Sequence, residues 1–489
     1  MQSKGQTYPT MRKRWLRLDR FERVVLLIAA IIMVYQVAIP PIVGVFDNGD
    51  FWKVMAAAGF RHVSEKPEDM HVFVNSKFLF GKPNLLKTDY ISSETLIARI
   101  ARVIGPIFSK DRLFDIRVLG LMHATLLLLG LVLIISAHSK LQTPSRWVLA
   151  LMLVWIFTDV GYVAFFNSFY SQTASPLFLI LTTGFFALLV SDDHKKWTWF
   201  AGFVFTALLF ICSKPQEAPQ GALLAIIVFL MARVLRTRWA KTLAVVSAVG
   251  VLAFAIQCYV AGPIGVKNNS LYNAVFEDLL KNSPNPAADL AELRLSNDLL
   301  KYVGTHAFIK DSPVPQDWFK AAFYQKIRHE DLLLFYIRHP SRLWALITRR
   351  ATKAFTLVTH YGNFEKEAGF PPGTKSSAFK MWSDFKERVF PRSPWTLMIL
   401  FLGNIAAVIL LLVRGPRSSS WHLGLWAFGI LNLMAIGAFL IATLGDGTLD
   451  IVRQLYTFNT VTDLCLIGDV VFLIEAITRK IQKSILRSL

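Results

Sequence analysis

Residues 11–51 read MRKRWLRLDRFERVVLLIAAIIMVYQVAIPPIVGVFDNGDF. A strongly basic run, Met11–Arg23, leads into an apolar run, Val24–Phe46, and then abruptly into Asp47-Asn48-Gly49-Asp50. About 20 mostly apolar residues are what a helix needs to cross a bilayer. Lys and Arg gathered at one end mark that end as cytoplasmic. The run is too long for the apolar region of a cleavable leader and lacks a small-residue cleavage site, so it reads as a spanning helix. Asp47 and Asp50 then emerge on the outer side.

The rest of the chain repeats this pattern. The 489 residues are 54% hydrophobic and only 18% charged, with a mean hydropathy of +0.44. Soluble domains are nearer one quarter charged. Length alone would suggest about three soluble domains, but the long uncharged runs replace that estimate with a polytopic membrane protein. Apolar runs at 22–46, 114–137, 147–166, 174–191, 197–213, 217–233, 241–263, 395–413, 420–444 and 460–477 give about ten spans. With that count, Lys140 and Arg146, then Lys195 and Lys196, then Arg233, Arg236, Arg238 and Lys241, then Arg414 and Arg417 all fall on one side. Arg479, Lys480, Lys483 and Arg487 join them, so both termini are expected in the cytoplasm. One helix more or fewer would scatter these clusters.

The net charge of +20, from 53 Lys+Arg against 33 Asp+Glu, would suggest nucleic acid in a soluble protein. Here the basic residues sit in short clusters between apolar runs, so no nucleic-acid partner is expected. Cys212, Cys258 and Cys465 cannot build a disulfide framework, and no CxxC occurs for a zinc site. Asn268-Asn269-Ser270 matches a glycosylation sequon, a triplet common by chance.

The expected organisation is all-α in three parts. Residues 1–263 form an N-terminal transmembrane module of about seven helices with the outer loop 47–112. Residues 264–394 form a polar extracytoplasmic insert, and residues 395–489 a C-terminal module of about three helices. Within the outer segments, Leu96–Phe108 (LIARIARVIGPIF) is amphipathic and reads as an interfacial helix. Pro340 starts a juxtamembrane helix expected to reach His360. On it Arg342, Arg349 and Lys353 share one face, expected to meet lipid headgroups or a substrate phosphate.

Four polar clusters all fall on the outer side. The first is Asp47 to Phe51, where a turn and a general base are both plausible readings of two close carboxylates. The second runs from Asp159 through Asn167, Ser168 and Tyr170 to Gln172. An ionisable group at the depth of Asp159 calls for a site or a buried partner. The third is Ser213-Lys214-Pro215-Gln216-Glu217, with an outward-facing cation at a helix end. The fourth is Gly445-Asp446-Gly447-Thr448-Leu449-Asp450-Ile451-Val452-Arg453-Gln454, followed by Tyr456, Phe458 and Asn459. Asp463 and Asp469 follow in the last span, Asp469 about 9 Å deeper at 1.5 Å per residue. Asp192 and Asp193 apart, the inner loops carry basic residues and fillers. This sidedness implies one extracytoplasmic site near the membrane surface, where acids do acid–base work and Lys214 and Arg453 hold a phosphate. Phosphate-binding glycine loops, HExxH and GxSxG do not occur.

A large first outer loop with an acid soon after the first helix resembles the GT-C superfamily of integral-membrane glycosyltransferases, which use polyprenyl-phosphate-linked sugars. More narrowly, Asn48-Gly49-Asp50-Phe51, Asp159 to Gln172, Lys214-Pro215-Gln216 and Gly445 to Asn459 are similar to bacterial glycan-biosynthesis hexosyltransferases. The similarity spans nearly all of the transmembrane part and matches 264–394 loosely. The family pattern often carries Glu where this chain has Gln172, and a basic residue followed by His where it has Arg453-Gln454.

By that resemblance Asp50 is the base for the acceptor hydroxyl, with Asp47 second. Lys214 and Arg453 bind the donor phosphate. Asp159, Asn167, Tyr170, Gln172, Gln216, Asp446, Asp450 and Asn459 shape the sugar and acceptor pocket. The resemblance leaves a divalent metal open and names no other cofactor. The implied partners are membrane lipids, a polyprenyl-phosphate sugar as donor, and a glycan or lipid acceptor. The implied place is a bacterial cytoplasmic (inner) membrane in cell-envelope polysaccharide synthesis. Two other readings share the lipid-linked substrate: a transporter or flippase, and a glycan polymerase or ligase. A transporter should instead show polar or broken helices at mid-membrane and repeat symmetry.

Overall fold

The computed structural model of the chain describes residues 18–64, 66–83, 90, 92–108, 112–192, 195–235, 237–416, 418–448 and 450–488. Residues 11–17 of the basic run, Arg236, Arg417 and Leu449 lie outside the described residues.

Helix α1 (Arg20–Ala38) begins with a capping box. The Asp19 carboxylate accepts from the Glu22 amide and the Glu22 carboxylate from the Asp19 amide, 2.8 Å each. Buried Glu22 also takes a bidentate pair from Arg146 at 2.9 and 2.6 Å, which ties α1 to helix α5 (Thr143–Phe157). The helix stops well before Phe46 because Pro40 and Pro41 offer no amide to continue it.

Helices stand at all ten expected positions. Six are long and apolar enough to cross a membrane: α1, α4 (Ile116–Ala137), the Ser171–Ser191 segment that holds α6 (Ala174–Ser191), α9 (Arg238–Val260), α12 (Pro394–Arg414) and α13 (Ser419–Gly445). A seventh is added if Thr143–Phe157 and Val160–Asn167, bent by 53°, count as one span. This makes a multi-pass membrane protein. Helices α7 (Lys196–Ile211, 16 residues) and α8 (Gln220–Met231, 12 residues) are short. At 1.5 Å per residue they reach about 24 and 18 Å, against a core of about 30 Å. The last helix, α14 (Tyr456–Ser488), is 33 residues long and carries the remaining apolar run.

The helices pack as neighbours in sequence and across it: α4 on α6, α6 on α7, α8 on α9, and α13 on α14. Small residues let α4 and α6 cross closely. A methyl group added at Gly130 would lie 2.7 Å from Ile180, and one at Gly184 would lie 2.7 Å from Leu133, so α4 and α6 touch almost backbone to backbone.

The all-α expectation needs one correction. The long segment between the first two spans folds a three-stranded antiparallel sheet, β1 (Phe60–His62), β2 (Lys77–Phe80) and β3 (Leu113–Asp115), in that order. Phe60, Phe78 and Phe114 alternate onto one face and close on Phe169, with ring centroids 5.1, 4.9 and 6.3 Å from it. The strands are so short that their alternation was hidden among polar residues. Helix α3 (Ser93–Phe108) covers the amphipathic stretch. Arg99 and Arg102 turn inward to carbonyls of Ala57, Gly59 and Gly81. Leu96, Ile100, Val103 and Ile107 stay exposed at helical spacing.

The insert has its own core of Tyr272, Phe276, Leu290, Leu299, Phe319, Phe323, Leu332, Phe335 and Leu346. Beyond it, Ala354, Phe355, Leu357, Tyr361 and Trp382 pack into the core of the membrane-spanning part. Helix α10 starts at Pro340 but ends at Ala351, not His360. Its basic face is largely neutralised: Arg342 pairs with Asp289 at 2.6 Å and Arg349 with Asp278 at 3.1 Å, while Lys353 is exposed. Helical spacing shows which residues share a face, but not that acids about 60 residues upstream fold across it.

Candidate active site

The turn after α1 is built by Asp47. One carboxylate oxygen accepts from the amides of Gly49 (2.7 Å) and Phe51 (3.0 Å), and the other faces His62 Nε2 at 3.0 Å. Its backbone carbonyl meets His71 Nδ1 at 2.7 Å. Gly49 sits at φ +98°, which only glycine adopts without strain. This turn feeds helix α2 (Trp52–Ala58) and leaves the Asp50 side chain 26% exposed, facing away from the loop's own bonds.

Asp50 lies between two cations. Its Oδ2 is 2.7 Å from Arg453 Nη1 and its Oδ1 is 2.5 Å from Lys53 Nζ. Burial alone would raise the Asp50 carboxyl, but the Arg453 and Lys53 charges outweigh it and hold the group far below the usual carboxylate range. Asp50 is therefore ionised at every physiological pH.

Arg453 is the hub. It stands on the short helix Ile451–Gln454, which follows Asp450, a residue in the left-handed region at φ 54°. Arg453 is buried, its Nη2 donates to Asp450 at 3.0 Å, and its guanidinium lies 4.9 Å over the Tyr170 ring. Tyr170 stacks on Tyr361 with centroids 6.1 Å apart. Asn48 closes the ring of contacts, donating to Asp450 (2.7 Å) and to the Tyr361 hydroxyl (2.8 Å), while its amide donates to the Tyr170 hydroxyl (3.0 Å). Arg453 Nε is buried without a hydrogen-bond partner.

Lys214 sits between α7 and α8, fully enclosed. Its ammonium is 3.4 Å from Glu217, with no hydrogen bond of good geometry. Burial lowers its proton affinity, Glu217 raises it and the Arg453 charge lowers it further. Gln216 bonds the Gln454 carbonyl at 3.2 Å, so the Lys214 loop is docked on the Arg453 helix. Asp446 accepts from Asn273 (2.9 Å) and Gln454 (3.2 Å) on the same loop, and burial pushes its carboxyl up to about 6.

Asp50, Tyr170, Lys214, Gln216, Asp446, Asp450 and Arg453 thus come together from four distant stretches. Asp47 belongs to the same turn but is spent on holding it. Gln172 is buried beside Ser171, which accepts from the Tyr90 hydroxyl at 2.8 Å. Three candidates serve other contacts. Asp159 caps the helix after the bend and accepts from the amides of Trp382 and Ser383 on helix α11 (Met381–Val389), 2.9 Å each. Asn167 donates to the carbonyls of Val37 (2.9 Å) and Val43 (2.8 Å). Asn459 accepts from Lys386 at 2.6 Å, and Lys386 also pairs with Asp463 at 2.8 Å. The sequence reading missed Lys53 and Tyr361. Lys53 had a signal, its three-residue spacing from Asp50; Tyr361 had none, since it comes from the insert. Among the described residues no three His, Cys, Asp or Glu side chains gather as a metal cradle.

Membrane-crossing helices with an acid soon after the first helix, held against a buried arginine, fit the GT-C class of membrane glycosyltransferases. The chain belongs to the family described as the YfdI N-terminal transmembrane domain, a GT-C-like glycosyltransferase family, whose model matches residues 11–487. No curated protein matches it significantly. Among solved structures it is similar to the Archaeoglobus fulgidus oligosaccharyltransferase in its apo form, with 14% identity, a TM-score of 0.41, and coverage of 97% of this chain and 52% of that one. It is also similar to AglB from that organism in complex with an inhibitory peptide and a dolichol-phosphate, with 13% identity, a TM-score of 0.41, and coverage of 95% and 52%. The chain spans about half the length of these structures.

Proposed function

We propose that the chain transfers a sugar from a polyprenyl-phosphate-linked donor to a glycan or lipid acceptor at the extracytoplasmic face of a bacterial inner membrane. It does so as a hexosyltransferase with ten spans and both termini in the cytoplasm. The observation that carries this is the pairing of Asp50 with Arg453, buried beside a second enclosed cation, Lys214. A polyprenyl phosphate leaves as an anion. Fixed cations at the leaving oxygen lower the barrier where the charge develops. An arginine fork suits phosphate geometry, and Arg453 has a free Nε for it.

In the resting site Arg453 occupies Asp50. An arriving phosphate competes for the guanidinium. As Arg453 turns to the phosphate, Asp50 loses its strongest counter-charge and becomes a better acceptor for the proton of the attacking hydroxyl. Lys214 then stabilises the departing phosphate, and the stacked Tyr170 and Tyr361 keep the fork oriented. Asp446, with its raised carboxyl, and Asp450 shape the pocket around the sugar.

The test is transfer from a panel of synthetic polyprenyl-phosphate sugars to membrane extracts, with the wild type and with Arg453→Met and Lys214→Met. The wild type should transfer from at least one donor, and both variants should lose donor use. Full transfer by Arg453→Met, or vesicle-to-vesicle movement of the donor without any transfer, refutes the reading; the second outcome would indicate a flippase.

A further inference from the structure

We infer that a cavity beside the Asp47–Asp50 turn binds the acceptor through a neutral sugar unit seated against Trp52. This rests on the glycosyltransferase reading and makes the acceptor a carbohydrate at its receiving end. The cavity has a volume of about 370 Å³ and is lined by Asp47, Gly49, Trp52, Arg61, His62 and His71, among others. Small-molecule sites run from about 300 to 1,000 Å³, so this one suits a terminal sugar unit rather than a lipid tail or a folded partner.

The lining chemistry selects the ligand. Trp52 is the first residue of α2 and is 50% exposed, a large indole held in water at the cavity wall. An aromatic ring offers an apolar face to the C–H face of a pyranose, while the edge of such a ring needs hydrogen bonds. His62 supplies one. Its Nε2 faces the Asp47 carboxylate at 3.0 Å. A carboxylate only accepts, so Nε2 carries a proton, and in the neutral ring Nδ1 is then the lone-pair nitrogen. That Nδ1 is buried and has no hydrogen-bond partner. A sugar hydroxyl donating to it would satisfy an atom that the fold leaves unpaired. His71 repeats the arrangement: its Nδ1 donates to the Asp47 carbonyl at 2.7 Å, which in the neutral ring leaves Nε2 as an acceptor. Arg61, exposed on β1, adds donors.

The charges are balanced. An anion here would meet the Asp47 carboxylate, and a cation would meet Arg61. A polyhydroxylated neutral ring uses acceptors and donors together. The cavity is also fixed relative to the base. Asp47 lines it, and the same carboxylate clamps the amides of Gly49 and Phe51 on either side of Asp50. Asp47, the second candidate base from the sequence, becomes the wall that fixes the cavity one turn away from Asp50, which does not itself line it.

The experiment uses the full chain in detergent micelles. Binding of a panel of methyl hexopyranosides is read by saturation-transfer NMR, and binding of a synthetic polyprenyl-phosphate sugar by native mass spectrometry. At least one glycoside should bind the wild type. Trp52→Ala should weaken it roughly tenfold, the factor that about 1.4 kcal/mol gives, and Trp52→Phe should restore part of it. Donor binding should be unchanged in Trp52→Ala and lost in Arg453→Met. Glycoside binding that survives Trp52→Ala, or no glycoside binding to the wild type, overturns the proposal while leaving the donor result to judge the transferase. Glycoside binding without donor binding sinks the transferase reading instead and keeps the saccharide site.

Discussion

Replacing Asp50 by Asn separates base chemistry from donor binding, because the two residues of the ion pair have opposite interests. The amide keeps the side chain's size, and the turn is held by Asp47 rather than Asp50, so the loop should fold unchanged. What is lost is a proton acceptor. A positioned general base contributes about 10²–10⁴-fold, and kcat should fall by that factor. Donor affinity should move the other way. In the wild type, a donor phosphate must draw Arg453 from a carboxylate oxygen at 2.7 Å. The contact is an ion pair without a hydrogen bond of good geometry, and such pairs contribute about 1 kcal/mol or less when exposed and more when buried. The 26% exposure of Asp50 discounts this toward the lower end. Asp50→Asn should therefore bind donor at least as tightly as the wild type, and up to about tenfold more tightly. The assay pairs single-turnover transfer from a purified lipid-linked donor with equilibrium donor binding. Transfer within a few-fold of the wild type would leave the mechanism without its base. A parallel loss of donor affinity would show that Asp50 contributes to the phosphate site, contrary to the competition argued here.

Lys386→Met should lower the melting temperature sharply, since removing one partner of a fully buried pair typically costs about 3–5 kcal/mol; the Lys386–Asp463 pair is 0% exposed on both sides, and unchanged thermal unfolding would contradict it. The Asp446 carboxyl is raised from 3.8 to about 6 by burial. The folded state thus holds that proton longer than the unfolded chain, and stability should fall as pH rises from about 4 to about 6. Asp446→Asn should flatten that slope in unfolding measured across the window, and a slope that persists would assign it to another group. For topology, cysteines introduced at Leu300 and Thr237 should label from the outside and from the inside respectively; labelling of position 237 from outside would reverse the orientation.

The membrane class and most helix positions were legible because apolar runs and basic flanks are local signals. Pro40-Pro41 was legible too, yet the run through Phe46 was read for hydropathy alone and the stop at Ala38 passed unnoticed. The small sheet escaped because its strands have three or four residues each. At the site, Asp50, Lys214 and Arg453 could be singled out by type and side, but nothing local said that Arg453 would reach back across some 400 residues to Asp50. The structural roles of Asp159 and Asn459 were hidden for the same reason. Their partners, Ser383 and Lys386, lie on a helix of the insert, and a buried acid awaiting a distant structural partner looks in sequence like a buried acid awaiting a substrate.

The loop that carries Arg453 is held from above as well as from within. Asn273 grips Asp446, Glu277 accepts from the Thr448 amide at 3.1 Å, and Arg350 holds both Asp278 and the Gly447 carbonyl. The three gripping residues and Asp278 all belong to the insert, and Asn273, Glu277 and Asp278 come from one continuous stretch. The insert is therefore the mount of Arg453. Sequence drift in its outer surface is free to retune what it meets in the water, while drift in residues 273–278 would shift Arg453 against Asp50. Two parts of the molecule with different environments are bound to a single geometric tolerance.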